Sequence, residues 1–192
     1  MKRWSIGCAV LMVGTLVAQP PEVKPGPEHA MLKELVGTWT GKMKMQGMES
    51  ECRCRYRMEC NGLWLTSDFT TKFGDQSFQG KGMDSYDPAT KKFKTVWVDS
   101  MSTKPMFMEG TYDSATHTMT MTGMAPGPDG KEVMHKIVST MPDKDTMIEK
   151  MSAGDMEMFT IEYKRSAEQP RRGKKGKGEG KGDAKPEAKP NP

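Results

Sequence analysis

The sequence predicts an all-β protein: an up-and-down antiparallel β-barrel of about ten strands with one short N-terminal helix. Three observations predict it. Methionines recur two residues apart, at Met43 and Met45, Met106 and Met108, Met119 and Met121, and Met156 and Met158. Two is the side-chain period of a strand, so each pair falls on one face of a sheet. Residues 51–60 alternate cleanly, with Glu51, Arg53, Arg55, Arg57 and Glu59 on one face and Cys52, Cys54, Tyr56, Met58 and Cys60 on the other. That is the pattern of a half-buried strand with charges outward and cysteines inward. Finally, turn signals recur at strand-sized intervals, and few connections are long enough for a crossover helix, so neighbouring strands pair antiparallel. Closing such a meander removes its exposed edges.

In order, Pro27-Glu28-His29 opens a helical stretch with Met31, Leu32 and Leu35 at helical spacing and Gly37 as its stop. Strands follow near 36–46, 50–60, 63–73, 77–86, 91–101, 106–112, 117–123, 131–141, 145–152 and 156–165. Asn61-Gly62 marks a hairpin, since both residues tolerate the positive φ of a type I′ turn. Gly74-Asp75, Asp87-Pro88, Asp113-Ser114, Pro126 to Gly130, Pro142-Asp143 and Gly154-Asp155 mark the later breaks.

The chain divides into residues 1–18, 19–27, 28–165 and 166–192. Lys2 and Arg3 precede an apolar run over residues 5–18, which reads as a secretory signal peptide; it is shorter than the ~20 residues a membrane span needs. Export to the periplasm or the medium is expected, and the weak lipobox resemblance at Cys8 does not outweigh it. Residues 19–27 are a proline-rich linker. Residues 166–192 form a basic Lys/Gly/Pro tail without large apolar residues, expected to be disordered. It reads as a solubilising tail or as a contact for an anionic envelope surface.

The formal charge of +4 hides an uneven distribution. The first 18 residues carry +2 and the tail +4, leaving the body at −2. A charged face for specific nucleic acid therefore loses its support. Cys52, Cys54 and Cys60 remain after the signal, an odd number that excludes a complete disulfide framework.

Leu35-Val36-Gly37-Thr38-Trp39-Thr40-Gly41 after a short helix resembles the G-x-W opening of lipocalin-like (calycin-like) barrels. A wider match runs through Phe78-Gln79-Gly80-Lys81-Gly82-Met83-Asp84-Ser85-Tyr86-Asp87-Pro88, Lys91-Lys92-Phe93 and Trp97-Val98-Asp99-Ser100-Met101. It continues through Glu109-Gly110-Thr111-Tyr112-Asp113 and Tyr163-Lys164-Arg165. With Glu28-His29, this resembles the domain of unknown function 1579 family of exported bacterial proteins. The resemblance implies a barrel and no settled activity. It also implies a closure in which Gly37 and Trp39 lie beneath a basic residue from the end of the last strand, Lys164 or Arg165, with Arg165 preferred.

A ten-stranded barrel is wide enough to hold a cavity, so a small apolar ligand is the expected partner. Asp99 shares parity with Phe93, Trp97 and Met101 and, with Tyr56 and Tyr86, forms the expected ligand-binding set. Asp99 also suits a structural carboxylate at a strand end. His117, Met119 and Met121 share one strand face and suit copper as Cu(I). The plainer reading takes the methionines as core, because only four leucines but eighteen methionines follow residue 18. Cys52 and Cys60 lie about 26 Å apart along a strand and cannot share an ion. The Leu-x-G-x-W-x-G opening also resembles haem-binding barrels of the nitrobindin type, which implies His135 as a haem ligand, against the plainer placement of that side chain at a barrel rim or on the outside. Paired carboxylates, a nucleophile elbow, a zinc-protease helix and a phosphate loop are absent as motifs.

Overall fold

The computed structural model describes residues 22–127 and 129–167. The signal read at residues 1–18, the start of the linker and nearly all of the tail lie outside the described residues, as does position 128 in the Pro126–Gly130 break. Helix α1 spans His29–Glu34. The strands are β1 Gly37–Met45, β2 Met48–Glu59, β3 Trp64–Phe73, β4 Gln76–Asp87 and β5 Lys92–Asp99. They continue as β6 Met106–Asp113, β7 Thr118–Pro126, β8 Glu132–Asp143, β9 Thr146–Ala153 and β10 Met156–Arg165. Each strand pairs antiparallel with its sequence neighbour, and β1 pairs with β10 to close the barrel.

One end of the barrel carries α1 and the turns after β2, β4, β6 and β8; the other carries the remaining turns. The helix lies across its end because Met31 and Leu32 bury against Leu65, Phe93, Met108 and Met121. His29 stands edge-on to Tyr86 and accepts a hydrogen bond at Nδ1 from the Gly26 amide, which ties the preceding linker to the helix.

At the seam between β1 and β10, Trp39 lies opposite Arg165. Trp39 is fully buried, and the Arg165 guanidinium lies 4.2 Å from its ring centroid. Trp39 Nε1 donates to the Leu35 carbonyl at 2.8 Å. Arg165 donates to the carbonyls of Glu34 (2.6 Å), Val36 (2.7 Å) and Lys144 (3.0 Å). The first two carbonyls belong to the end of α1 and the residues after it, where no intrahelical donor is available. A single side chain therefore joins the last strand, the first strand and the helix. Gly37 does not stop the helix, which already ends at Glu34; it begins β1 at φ +137°, where an added Cβ would stand 3.0 Å from Arg165 Nη1.

Three local expectations are corrected. Asn61 and Gly62 do have positive φ, but Cys60 does too, at 49°. The last ladder pair is Glu59 with Trp64, so four residues rather than two make the connection. Cys60 consequently leaves the strand and is exposed, whereas Cys52 and Cys54 are buried as expected. The pair Met156 and Met158 does not share an inward face: a register shift between Glu157 and Phe159 breaks the alternation, and Met156 is exposed.

Candidate functional site

Inward positions of ten strands enclose a cavity of about 530 Å³ between α1 and the opposite rim. Its wall is built from the methionine alternation. Met43 and Met45 of β1, Met106 and Met108 of β6, and Met119 and Met121 of β7 all line it. Met147 and Met151 of β9 continue the same surface. These thioethers therefore surround a space rather than interlocking into a solid core. Unbranched, polarizable side chains leave such a wall adaptable in shape. Aromatic groups complete it: Phe69 stands edge-on to both Phe78 and Trp97.

The Trp97 indole is laid against the wall by two glycines of the adjacent strand. A Cβ on Gly80 would stand 2.1 Å from its ring, and one on Gly82 would meet both Ser67 Oγ and the indole. Trp97 Nε1 donates to Asp99 Oδ2 at 3.0 Å, and the Met101 amide donates to Asp99 Oδ1 at 2.8 Å. Both carboxylate oxygens are thus engaged at the end of β5. Asp99 faces the cavity, but its hydrogen bonds make it the structural carboxylate that fixes Trp97.

Two carboxylates the sequence reading did not select lie deeper. Asp84 follows Gly80 and Gly82 in inward parity on β4, and Glu149 sits between Met147 and Met151 on β9. Both have partial surface accessibility because they face the cavity, yet the barrel wall encloses them. Thr95 Oγ1 donates to Asp84, and Ser139 Oγ donates to Glu149 at 3.1 Å. Burial pushes the Asp84 carboxyl up to about 6 despite the Thr95 hydroxyl. Burial also pushes Glu149 up to about 7, with the Asp84 charge adding to the rise. No lysine or arginine is among the described residues that line the cavity.

Around them stand other groups that resist ionisation. Burial raises Tyr56 and Tyr163 well above the ordinary tyrosine range. Burial pushes the Cys52 thiol up to about 12, with the charge of Glu149 contributing, and raises Cys54 further. These cysteines are protonated at neutral pH and are neither nucleophiles nor ready metal ligands without losing a proton. The outer surface contrasts with this interior. Glu109 accepts hydrogen bonds from Lys92 and Lys94, which hold its carboxyl down at about 2.

Of the expected ligand set, Tyr56, Trp97, Asp99 and Met101 line the cavity, with Met101 on the exposed rim. Tyr86 does not; it packs beneath α1 against Phe93 at 5.1 Å between ring centroids. His117, Met119 and Met121 all reach the cavity, but His117 lies in the turn before β7, at φ 48°. Its Nδ1 is 3.0 Å from the Tyr112 hydroxyl. His135 is buried and points inward without lining the cavity; its Nε2 lies 3.2 Å from the Pro126 carbonyl near the rim opposite α1. The structure places His135 inside the wall near that rim and not on the outside of the barrel. Among the described residues no three His, Cys, Asp or Glu side chains cluster as a metal site.

A closed ten-stranded barrel around one apolar cavity defines the class to which the chain belongs. The chain is a member of the family described as protein of unknown function (DUF1579), whose model matches residues 24–165. No curated protein matches it. Among solved structures it is similar to the crystal structure of Rv2717c from M. tuberculosis, with a TM-score of 0.54 and 15% identity. That match covers 73% of this chain and 98% of the other, and it shows a shared fold.

Proposed function

We propose that this protein binds a small apolar ligand inside its barrel, as an exported carrier or sequestering protein of the periplasm or the medium. The observation that carries the reading is the cavity of about 530 Å³ walled by methionine and aromatic side chains. Sites of this size, mostly apolar with a few polar groups, suit drug-sized ligands. Export rests on the N-terminal sequence, with its two basic residues and apolar run. The basic tail would then meet an anionic envelope surface.

Native mass spectrometry of the protein purified from its own cells tests the reading. A co-purifying lipid-like mass is expected, released by organic solvent. A protein that carries no such mass and also fails to take up a hydrophobic fluorescent probe would overturn it. A Soret band or stoichiometric copper in the same sample would replace it with a haem or copper role.

A further inference from the structure

We propose that the barrel selects amphiphiles with a cationic head, such as long-chain primary amines, and that Glu149 and Asp84 receive the ammonium group. This rests on the ligand-binding reading and specifies its ligand class.

The argument begins with charge balance inside the cavity. Glu149 projects from β9 and Asp84 from β4 into the same cavity, and the Asp84 charge adds to the rise of the Glu149 carboxyl. Each has one hydroxyl donor, Ser139 or Thr95, and no ion-pair partner among the described residues. The other titratable groups facing the same space are Cys54, Tyr56, Asp99, Tyr112, His117 and Tyr163. Cys52, on β2, also senses Glu149. Cys54, Tyr56 and Tyr163 are held neutral by burial, Asp99 is fixed at the rim by Trp97 and the Met101 amide, and Tyr112 pairs with His117 at the helix end. Histidine is therefore the sole potential cation in the lining among the described residues, and it belongs to the helix end.

A carboxylate buried without a counter-charge is expensive, and ordinary packing would favour its replacement by a neutral residue. Two facing one apolar cavity supply what an incoming cation needs: charge neutralisation and acceptors for its N–H groups. The same field repels a fatty acid, whose carboxylate would add a third negative charge. The methionine and aromatic wall accommodates the alkyl chain. Tyr56 and Tyr163 near the carboxylates add ring faces that favour a cation.

Calorimetry with dodecylamine, dodecanol and dodecanoate, each below its aggregation concentration, tests the proposal on the full chain. At pH 8 the amine should bind at least tenfold more tightly than the alcohol, and the dodecanoate more weakly than either. At pH 5, where the interior carboxyls hold protons, the amine's advantage should shrink to threefold or less. Amine binding near pH 6.5 should release protons, seen as a heat that varies with buffer ionisation enthalpy. Glu149→Gln and Asp84→Asn should each cut the preference for amine over alcohol at pH 8 at least threefold, with an unchanged far-ultraviolet circular dichroism spectrum reporting an intact barrel. Equal binding of amine and alcohol at pH 8, or a preference for dodecanoate, overturns the cationic head but leaves the ligand-binding reading standing. Failure of all three to bind overturns both.

Discussion

Glu149 and Asp84 project into one cavity from strands on opposite sides of the barrel, and each holds its proton to a higher pH than an exposed carboxyl does. Raised acid pKa values have a definite consequence for stability. The folded state binds these protons more tightly than the unfolded chain, so folding is favoured at low pH and loses free energy as pH rises. The loss begins near the ordinary values of 3.8 and 4.5 and is complete above about 6 for Asp84 and about 7 for Glu149. For Glu149 it amounts to about 3 kcal/mol. Urea denaturation should therefore show stability declining between about pH 4 and pH 7. Glu149→Gln should flatten that decline by roughly 2–3 kcal/mol. A wild-type curve that instead rises across this window would contradict the placement of both carboxyls.

Arg165 binds three carbonyls and covers Trp39, so its removal should loosen the helix as well as the barrel seam. Arg165→Ala should cost about 2–3 kcal/mol, from lost charge-assisted hydrogen bonds and the cation–π contact. Arg165→Lys should restore less than half, because an ammonium cannot span carbonyls on three sides with a planar fork. Hydrogen exchange should show the amides of α1 opening first in the alanine variant. Uniform loss of protection across the barrel, with α1 unaffected, would argue against the clasp.

Gly80→Ala places a methyl where the Trp97 indole now lies, so the ring must leave the wall or β4 must shift. Overpacking of this kind costs about 1–3 kcal/mol. The displaced ring would enter the cavity, and the near-ultraviolet circular dichroism of the protein should change with it. Affinity for a hydrophobic probe should fall at the same time. An unchanged spectrum with unchanged affinity would mean that the glycine serves no such purpose.

Thiol reactivity separates the cysteines. In a chain beginning at residue 22, one thiol should react rapidly with a disulfide reagent in the native state and three after unfolding, because Cys60 is exposed and the other two are buried. Cys60→Ser should abolish the fast phase. Two fast thiols would place Cys52 or Cys54 at the surface.

Much of the barrel was legible because strand alternation and turn residues agree over most of the chain. All ten strands fall within three residues of the expected limits. What escaped was decided by local backbone geometry. Parity predicts the direction of Cys60 only while the strand continues, and β2 ends one residue before it. The bulge at Glu157 and Phe159 similarly cancels the alternation that Met156 begins. The interior carboxylates escaped for a different reason. Acidic residues are nearly always outward, so Glu149 was not read as lining a cavity although Met147 and Met151 flank it in parity. Asp84 carried the same signal through Gly80 and Gly82. A charged residue bracketed by inward positions on both sides was the available clue, and Asp99 drew attention instead because an aromatic cluster surrounds it.

The seam between β1 and β10 also bears on how the domain comes into being. The bond from Arg165 to Glu34 joins residues 131 positions apart. Long-range closure of this kind adds loop-entropy cost and is reached late. A ribosome that has released nine strands has made an open, twisted ribbon with two unsatisfied edges and an uncovered apolar interior. Completion belongs to the finished polypeptide, so a chain truncated before residue 156 should not persist as a smaller version of this barrel; it should present adhesive edges that must be shielded until the tenth strand arrives.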